Sequence, residues 1–243
     1  MAASLDIPRL IGHRGGGTLA PENTLAGLRA AARLGYRGVE FDVMLSADGT
    51  PVLIHDETLD RTTSGRGSVA ETPDAVLLEL DAGSGFDPAF AAERIPTLAA
   101  AAALCHQLRL WANVEIKPAA GHDARTGDVV ARVVRNLWLG HRPPLLSSFS
   151  AEALTAARET APELPRGLLV EAIPADWREQ MRRLQCVSIH CNAASVSPEQ
   201  IKAVVDSGVA AICYTVNDVA LGTSFMAAGA AIITDRLDLF QPS

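Results

Sequence analysis

The sequence predicts an α/β fold, a closed (β/α)8 barrel, from three observations. Eight short apolar or β-branched segments alternate along the chain with helical segments rich in alanine and leucine. Strands that alternate with helices form parallel sheets, and eight parallel strands close into a barrel. The chain has 243 residues, which fits because one barrel domain needs roughly 250. An open, doubly wound sheet is the alternative fold.

The predicted elements follow in chain order. The strands cover residues 9–12, 38–45, 110–116, 145–149, 167–170, 187–190, 210–216 and 230–234. The helices lie near residues 22–34, 97–108, 125–138, 150–160, 175–184, 198–207 and 217–228. Pro198 and Glu199 suit a first helical turn, because proline needs no hydrogen bond there and the acid favours the positive end of the helix dipole. Gly35 and Gly208 indicate helix ends.

One segment interrupts the alternation after the second strand. Asp48 and Gly49 separate residues 39–45 from residues 51–55, which predicts a hairpin extension of that strand. Residues 57–96 have no clean period and are rich in glycine, so we expect a short insertion with a functional role. The sequence has no internal repeat and no low-complexity linker. We therefore expect residues 1–243 to form a single domain that carries this insertion at about 57–96.

The composition excludes several classes of protein. Apolar residues make up 48% of the chain, which is too many for an intrinsically disordered protein. The formal net charge is −7 and the lysines and arginines are scattered, so we expect no nucleic-acid partner. The four cysteines show no CxxC spacing, and three lie in apolar segments. We expect them to be small buried side chains rather than metal ligands or disulfides.

The sequence also indicates in which cellular compartment to expect the protein. The longest apolar run covers residues 98–105, far short of the roughly 20 residues that cross a bilayer. The first ten residues lack the basic and apolar regions of a secretory signal. We expect a cytoplasmic protein with no membrane insertion. Its oligomeric state stays open, and a homodimer is one of the alternatives.

Acidic residues lie on two predicted strands, within the second and at the end of the third. Glu40 and Asp42 are two residues apart and therefore point to the same face of a strand, as do Glu115 and Lys117. Carboxylates buried without a partner each cost several kcal/mol in desolvation. A divalent cation such as Mg²⁺ or Ca²⁺ would remove that cost by taking oxygen ligands from all three acids. A set of salt bridges with Lys117 and Arg14 is the alternative.

Two histidines lie at the same predicted end of the barrel. The first strand ends in a His-Arg-Gly-Gly-Gly turn over residues 13–17. Successive glycine amides can form an anion-binding concavity, and Arg14 offers a forked donor that matches phosphate oxygens. His55 ends the hairpin and precedes Asp56. Two imidazoles can serve as general acid and general base in one displacement, so His13 and His55 are candidate catalytic residues.

Six motifs in this order resemble those of the glycerophosphodiester phosphodiesterases. They are His-Arg-Gly at 13–15, Pro-Glu-Asn-Thr at 21–24, Glu-Phe-Asp at 40–42, His-Asp at 55–56, Glu-Ile-Lys at 115–117 and Tyr-Thr-Val-Asn at 214–217. The resemblance covers residues 9–236 and is nearest to the cytoplasmic bacterial branch of that family. It implies a TIM barrel that hydrolyses glycerophosphodiesters, which are small molecules, to sn-glycerol 3-phosphate and an alcohol.

The resemblance also implies roles for individual residues. His13 and His55 match the acid/base pair of the family, and Arg14 and Lys117 match its phosphate contacts. The nucleophile would be water or the glycerol 2-hydroxyl, and either histidine could be the base.

The remaining matches concern the metal and the substrate. Glu40, Asp42 and Glu115 match the ligands of a divalent metal, for which Mg²⁺ is favoured and Ca²⁺ or Mn²⁺ are alternatives. Tyr214 stands where many members have tryptophan, so it is a candidate substrate contact. Three other functions stay open: a lipase-D-like activity on lysophospholipids, a catalytically silent phosphodiester-binding barrel, and an enolase-like proton abstraction.

Overall fold

The computed structural model of the chain describes residues 6–242 and contains nine strands within that range. In chain order they are β1 (Leu10–Gly12), β2 (Gly38–Leu45), β3 (Pro51–Leu53), β4 (Trp111–Ile116), β5 (Leu145–Ser148), β6 (Arg166–Val170), β7 (Ser188–Asn192), β8 (Ala210–Tyr214) and β9 (Ala231–Thr234). All except β3 pair in parallel with both neighbours and form a closed ring. The predicted (β/α)8 barrel is confirmed.

The ring closes at β1, which pairs with both β2 and β9. Ile11 of β1 pairs with Gly38 of β2 on one side and with Ile233 of β9 on the other. Strand β3 lies outside the ring and pairs antiparallel with β2, with Val43 opposite Leu53. This is the hairpin extension that Asp48 and Gly49 predicted.

Eight α-helices lie within the described residues. They are α1 (Leu25–Arg33), α2 (Asp74–Leu77), α3 (Leu98–Leu108), α4 (Asp123–Leu137), α5 (Ala151–Thr160), α6 (Trp177–Leu184), α7 (Pro198–Asp206) and α8 (Val219–Ala227). All except α2 connect consecutive barrel strands, and these seven are the helices predicted from the sequence. None of the helices in residues 6–242 is both long and apolar enough to cross a membrane.

The C-terminal segment takes the place of an eighth barrel helix. Residues 235–242 follow β9 without forming a helix, and Leu237 and Phe240 are buried. Leu237 packs in the cluster that contains Leu28 of α1, whereas Phe240 packs with Phe225 of α8. The Tyr36 hydroxyl donates a hydrogen bond of 3.0 Å to the Phe240 carbonyl. The segment therefore joins the first and last helices of the ring.

The apolar core has two layers separated by the barrel wall. Outward-facing residues of the strands, such as Val39, Phe41 and Val43 on β2, pack against the helices. The barrel interior holds a second cluster, with Ile11, Trp111, Leu145, Ile212, Ala231 and Ile233. Because neighbouring strand residues alternate between the two faces, Glu40 and Asp42 point into the barrel.

The insertion, residues 57–96, packs on the hairpin and contains α2. Leu59, Val69 and Leu77 are buried with Val52 of β3 and Met44 of β2 in one apolar cluster. The insertion therefore has a fixed position against the barrel, at the end where the parallel strands finish.

Candidate active site

The turn after β1 is folded against β2 and against the chain after β9. The Gly15 amide donates to the Glu40 carbonyl and the Arg14 amide to the Glu40 carboxylate, each at 2.9 Å. Gly17 has φ +55°, and a Cβ there would lie 2.1 Å from the Asp235 carbonyl oxygen. Only glycine fits this close approach. The turn thus holds His13 and Arg14 beside the acids of β2.

The prediction that the amides of this turn form an anion-binding concavity is wrong. The amides of residues 13, 15, 17 and 18 donate to carbonyl oxygens of Thr234, Glu40, His13 and Asp235. The Arg14 amide donates to a carboxylate. The glycines of this turn therefore serve its tight packing, and the Arg14 side chain is the group of the turn that remains a candidate anion contact.

Three carboxylates form a cluster inside the end of the barrel. Glu40 and Asp42 lie on β2, and Glu115 lies on β4 directly opposite Asp42. Each offers an oxygen within 4.8 Å of the others. All three side chains are buried. This brings together the acids that the sequence predicted to be neighbours.

The cluster is electrostatically strained without a cation. Burial, together with the charges of Asp42 and Glu115, raises the pKa of Glu40 well above its ordinary value. Burial and the Asp42 charge raise the pKa of Glu115 to about 8. In the absence of a bound cation, these acids therefore favour protonated forms at neutral pH.

Nearby cationic side chains stabilise the charged forms of these carboxylates only in part. The Lys117 ammonium lies 3.6 Å from oxygens of both Asp42 and Glu115, and Arg14 Nε lies 3.6 Å from Asp42. These distances exceed those of charge-assisted hydrogen bonds. Oxygen Oε1 of the buried Glu40 has no hydrogen-bond partner. A hard divalent cation takes this kind of all-oxygen donor set, so the residues fit one.

Asn23 holds Asp42 in place. Its side-chain amide donates to Asp42 Oδ2 at 2.9 Å, and its side-chain oxygen accepts from the Asp42 backbone amide at 3.1 Å. Asn23 is buried and has φ +56°. Asparagine tolerates this left-handed conformation better than most residues. The contact fixes which oxygen of Asp42 faces Glu40 and Glu115.

His13 is oriented by a carboxylate on the far side of its ring. Nδ1 lies 2.6 Å from Asp235 Oδ1, and Nε2 lies 3.9 Å from Glu40 Oε2. Asn217 donates to the other oxygen of Asp235 at 3.0 Å. Burial opposes ionisation of Asp235, but the hydrogen bond and charge of His13 outweigh it, and the pKa of Asp235 is lowered. Nδ1 therefore carries a proton, and Nε2 faces the cluster.

His55 is likewise oriented by a carboxylate at Nδ1, but its Nε2 contacts Lys117. Nδ1 lies 2.6 Å from Asp56 Oδ1, and Nε2 lies 2.6 Å from Lys117 Nζ. Because an ammonium group only donates, Nε2 is an acceptor and the proton is on Nδ1. Burial lowers the pKa of His55, and the charges of Arg14 and Lys117 lower it further against the opposing acids. His55 is thus a neutral imidazole near pH 7.

An arginine of the insertion reaches the same region. Arg61 donates to Asp56 and, through both terminal nitrogens, to Glu22. Glu22 in turn accepts from Arg14 Nη1 at 2.8 Å. The hydrogen bond from Arg61 is the main reason that the pKa of Asp56 is lowered.

Tyr214 lies at the end of β8, across the barrel from β4. Its hydroxyl donates to the Val170 carbonyl at 2.9 Å, and its ring meets Phe149 edge-on with centroids 6.0 Å apart. The hydroxyl is therefore occupied, and the ring is the part of the side chain that can meet a ligand. With Tyr214, every predicted site residue lies at one end of the barrel.

Several residues of the site were not predicted. Asp235 follows the last strand, so the rule that drew attention to the other strand ends would also have found it. Asn217, Glu22 and Asn23 lie inside the quoted motifs without an assigned role. Arg61 had no signal, because its segment has no period and nothing in the sequence indicates which way the segment folds.

The chain is similar to known proteins over most of its length. Residues 13–239 match the glycerophosphoryl diester phosphodiesterase family. A glycerophosphodiester phosphodiesterase from Caldanaerobacter subterraneus subsp. tengcongensis is 34% identical over 208 residues, which cover 86% of this chain and 85% of the relative.

Solved structures show similarity to the same family. A phosphodiesterase from Oleispira antarctica in complex with the product sn-glycerol-3-phosphate superposes with a TM-score of 0.93 and 37% identity, covering 97% of this chain and 96% of that one. A glycerophosphodiester phosphodiesterase from Agrobacterium tumefaciens gives a TM-score of 0.81 at 31% identity, covering 97% and 99%. This chain is therefore an enzyme of the glycerophosphoryl diester phosphodiesterase family.

Proposed function

We propose that the enzyme hydrolyses glycerophosphodiesters to sn-glycerol 3-phosphate and an alcohol, in a metal-dependent reaction with two-histidine acid/base catalysis. One observation carries the proposal: His13 and His55 each have Nδ1 at 2.6 Å from a carboxylate, while Nε2 of His13 faces Glu40 of the cluster and Nε2 of His55 accepts from Lys117, which lies beside the cluster. The product held by the Oleispira antarctica relative supports this substrate class.

Glu40, Asp42 and Glu115 would hold the metal. The unpartnered Glu40 oxygen and the raised pKa values of Glu40 and Glu115 support this assignment. Mg²⁺ is the favoured ion, with Ca²⁺ and Mn²⁺ as alternatives, since all three take oxygen ligands. When bound, such an ion polarises phosphodiester oxygens and offsets the charge that develops on them.

Arg14 and Lys117 bind the remaining phosphate oxygens. Both cations lie beside the cluster, and Arg14 Nε is buried without a hydrogen-bond partner. Lys117 uses one of its three donors on His55 Nε2, so donors remain for an anion. Two cations on one phosphate restrict its orientation and favour an in-line attack.

The histidines move the protons. One imidazole, with Nε2 unprotonated, accepts the proton of the nucleophile there, and the other, in its imidazolium form, donates a proton from Nε2 to the departing alkoxide. Asp56 and Asp235 hold the two rings and stabilise whichever is protonated. Proton transfer of this kind contributes roughly 10²–10⁴ in rate. Substrates without the glycerol 2-hydroxyl distinguish direct attack by water, which needs no such group, from a cyclic phosphate route, which does.

Tyr214 contacts the organic part of the substrate. Its ring is held by the hydroxyl bond to Val170 and by the edge of Phe149, so an aromatic face is kept at the end of the barrel. Such a face suits the carbon atoms of glycerol or of the leaving alcohol.

We also propose that residues 1–243 are one domain in the cytoplasm. The insertion shares an apolar cluster with Met44 and Val52, which supports its being part of the barrel domain. Residues 1–5 and 243 lie outside the described part of the chain. The four cysteines are free thiols, which suits a reducing compartment.

The decisive experiment measures sn-glycerol 3-phosphate release from glycerophosphocholine, with and without a chelator. We expect release with Mg²⁺, Mn²⁺ or Ca²⁺ and loss of it with chelator. His13→Ala and His55→Ala should each lower kcat by about 10²-fold or more while circular dichroism stays unchanged. No release with any of the three ions would contradict the proposal, and near-normal kcat in either variant would contradict the role of that histidine.

A further inference from the structure

Arg61 joins two carboxylates of the candidate site from outside the barrel. Its Nε donates to Asp56 Oδ2 at 2.6 Å, and Nη2 donates to Asp56 Oδ1 at 3.0 Å. Nη1 and Nη2 donate to the two oxygens of Glu22 at 2.7 and 2.8 Å. The planar guanidinium thus makes a two-bond contact with each acid, which is the most directional form of ion pair.

Each of the two acids also accepts a hydrogen bond from one of the candidate functional side chains. Asp56 accepts from His55 Nδ1 at 2.6 Å, and Glu22 accepts from Arg14 Nη1 at 2.8 Å. A continuous series of side-chain hydrogen bonds therefore runs from the His55 imidazole to the Arg14 guanidinium, with Arg61 at its centre. These two groups come from separate parts of the barrel, the turn after β1 and the end of the hairpin.

The backbone of Arg61 is fixed by the insertion. Leu59, two residues earlier, is buried in the cluster on the hairpin, and its amide donates to the Gly67 carbonyl at 2.9 Å. Thr63, two residues later, donates from its hydroxyl to the Leu59 carbonyl at 2.7 Å. Arg61 therefore extends from a packed turn and holds the two acids in one geometry. An isolated exposed ion pair contributes little, but a network with this geometry is the exception.

We propose that Arg61 is a positioning residue that fixes the Arg14 guanidinium and the His55 imidazole relative to one another, through Glu22 and Asp56. The inference rests on the proposed function, because it presumes that Arg14 holds the phosphate and His55 transfers a proton. Among the described residues, the side-chain hydrogen bonds and ion pairs of Arg61 are with Asp56 and Glu22 and include neither the carboxylate cluster nor Lys117.

The reaction depends on the relative placement that Arg61 maintains. A phosphate held by Arg14 must lie so that His55 Nε2 reaches the nucleophile or the leaving oxygen. Displacement of such a group by about 1 Å can cost about 10²-fold in rate. Without Arg61, the carboxylates of Glu22 and Asp56 keep one side-chain hydrogen-bonding partner each. They also lose the positively charged guanidinium that lies between them. Both acids can then turn, and Arg14 and His55 move independently.

The experiment compares Arg61→Ala, Arg61→Lys and the control Arg66→Ala with the unmodified enzyme. Arg66 lies in the same insertion, is 87% exposed and pairs only with Asp60. Steady-state kinetics on glycerophosphocholine with saturating Mg²⁺ give kcat and KM. We expect Arg61→Ala to lower kcat/KM by about 10²-fold, with most of the loss in kcat. Arg61→Lys should lose about 10-fold, since an ammonium lacks the two-bond fork, and Arg66→Ala should match the unmodified enzyme.

A second measurement separates positioning from mere folding. Arg61 is 48% exposed, so guanidinium ion at low millimolar concentration can enter the space left by Arg61→Ala. We expect it to raise kcat of that variant several-fold, while sodium chloride of equal ionic strength does not. The unmodified enzyme and Arg66→Ala should show no increase.

Each outcome decides the matter. If Arg61→Ala keeps more than half of the normal kcat/KM, the inference is wrong. A loss that guanidinium does not restore, with melting temperature lowered in both Arg61 variants, would mean a structural role and would also overturn it. If Arg61→Ala fails to fold, the comparison of Arg61→Lys with Arg66→Ala takes its place. Inactivity of the unmodified enzyme contradicts the proposed function instead.

Discussion

At the scale of single residues, the site is held by acids that orient other groups. Asp235 orients His13 and Asp56 orients His55, each at 2.6 Å, while Asn23 orients Asp42. Glu40 and Glu115 in the cluster have a different environment, since burial disfavours their charged forms and raises their pKa values. Carboxylates therefore serve as fixed anions at the rim of the site and as more easily protonated groups at its centre.

Protonation of the cluster should make metal affinity depend on pH. The pKa of Glu115 is raised to about 8 in the metal-free enzyme, so below that pH a cation must displace a proton in order to bind. We expect Mg²⁺ affinity to increase as the pH rises toward about 8 and binding to release protons. Calorimetry in buffers of different ionisation enthalpy measures both quantities. An affinity that stays constant between about pH 6 and pH 8 would contradict this expectation.

The residues of the site that could be predicted are those placed by the two-residue repeat of a β-strand. Glu40 and Asp42 share a face because a strand has period two, and Glu115 follows from the next parallel strand. Arg61 and Glu22 meet only because the insertion packs on the hairpin, which is a tertiary event with no local signal. The glycines after His13 are the opposite case. They are a plausible local signal for anion binding, but amides of that turn donate to carbonyl oxygens of the protein itself.

At the scale of elements, helix starts were less predictable than strands. Strand β2 begins and ends at the predicted residues, whereas α1 begins at Leu25 rather than near residue 22. The physical reason lies in the site. Glu22 is bound to Arg14, Asn23 is bound to Asp42, and Thr24 caps the helix by accepting from the Gly27 amide. Contacts made by these residues outside the helix take precedence over helix propensity.

Helix α7 provides a test of capping that is independent of the site. The Ser197 hydroxyl accepts from the Gln200 amide, and the Gln200 side chain accepts from the Ser197 amide. Removing one N-cap hydroxyl costs about 1 kcal/mol. We expect Ser197→Ala to lower the free energy of unfolding by that amount, measured by urea denaturation, with kcat unchanged. Ser195→Ala, at an exposed position that caps no described helix, should leave stability unchanged, and equal losses in both variants would argue against the capping explanation.

At the scale of the whole molecule, the ring of helices is completed by the C-terminal segment. Phe240 fills a space beside Gly222, where a Cβ would lie 2.5 Å from the Phe240 ring. Seven α-helices and one segment without helix therefore cover eight strands. The alternating pattern of the sequence predicted the barrel but gave no sign of this segment, because a few buried residues without a period resemble a loop.

The segment should contribute substantially to stability. Replacing a buried phenylalanine by alanine costs about 3–5 kcal/mol, and Phe240 is buried in the apolar cluster that contains Phe225 of α8. We expect Phe240→Ala to lower the free energy of unfolding by about 3 kcal/mol, measured by guanidinium denaturation. Leu239→Ala, which truncates the exposed neighbour in the same segment, should have little effect. A loss below about 1 kcal/mol for Phe240→Ala would show that the segment is dispensable.

The closure of the barrel at β1 has a consequence for biosynthesis. His13 and its partner Asp235 are separated by 222 positions in the chain, and β1 stays without one of its two neighbours until β9 has been made. A nascent chain on the ribosome can pack its early helices, because domains begin to form from their N-terminal end during synthesis. It cannot yet bring Asp235 to His13 or close the ring. The candidate site can therefore be assembled only after residue 235 has been synthesised.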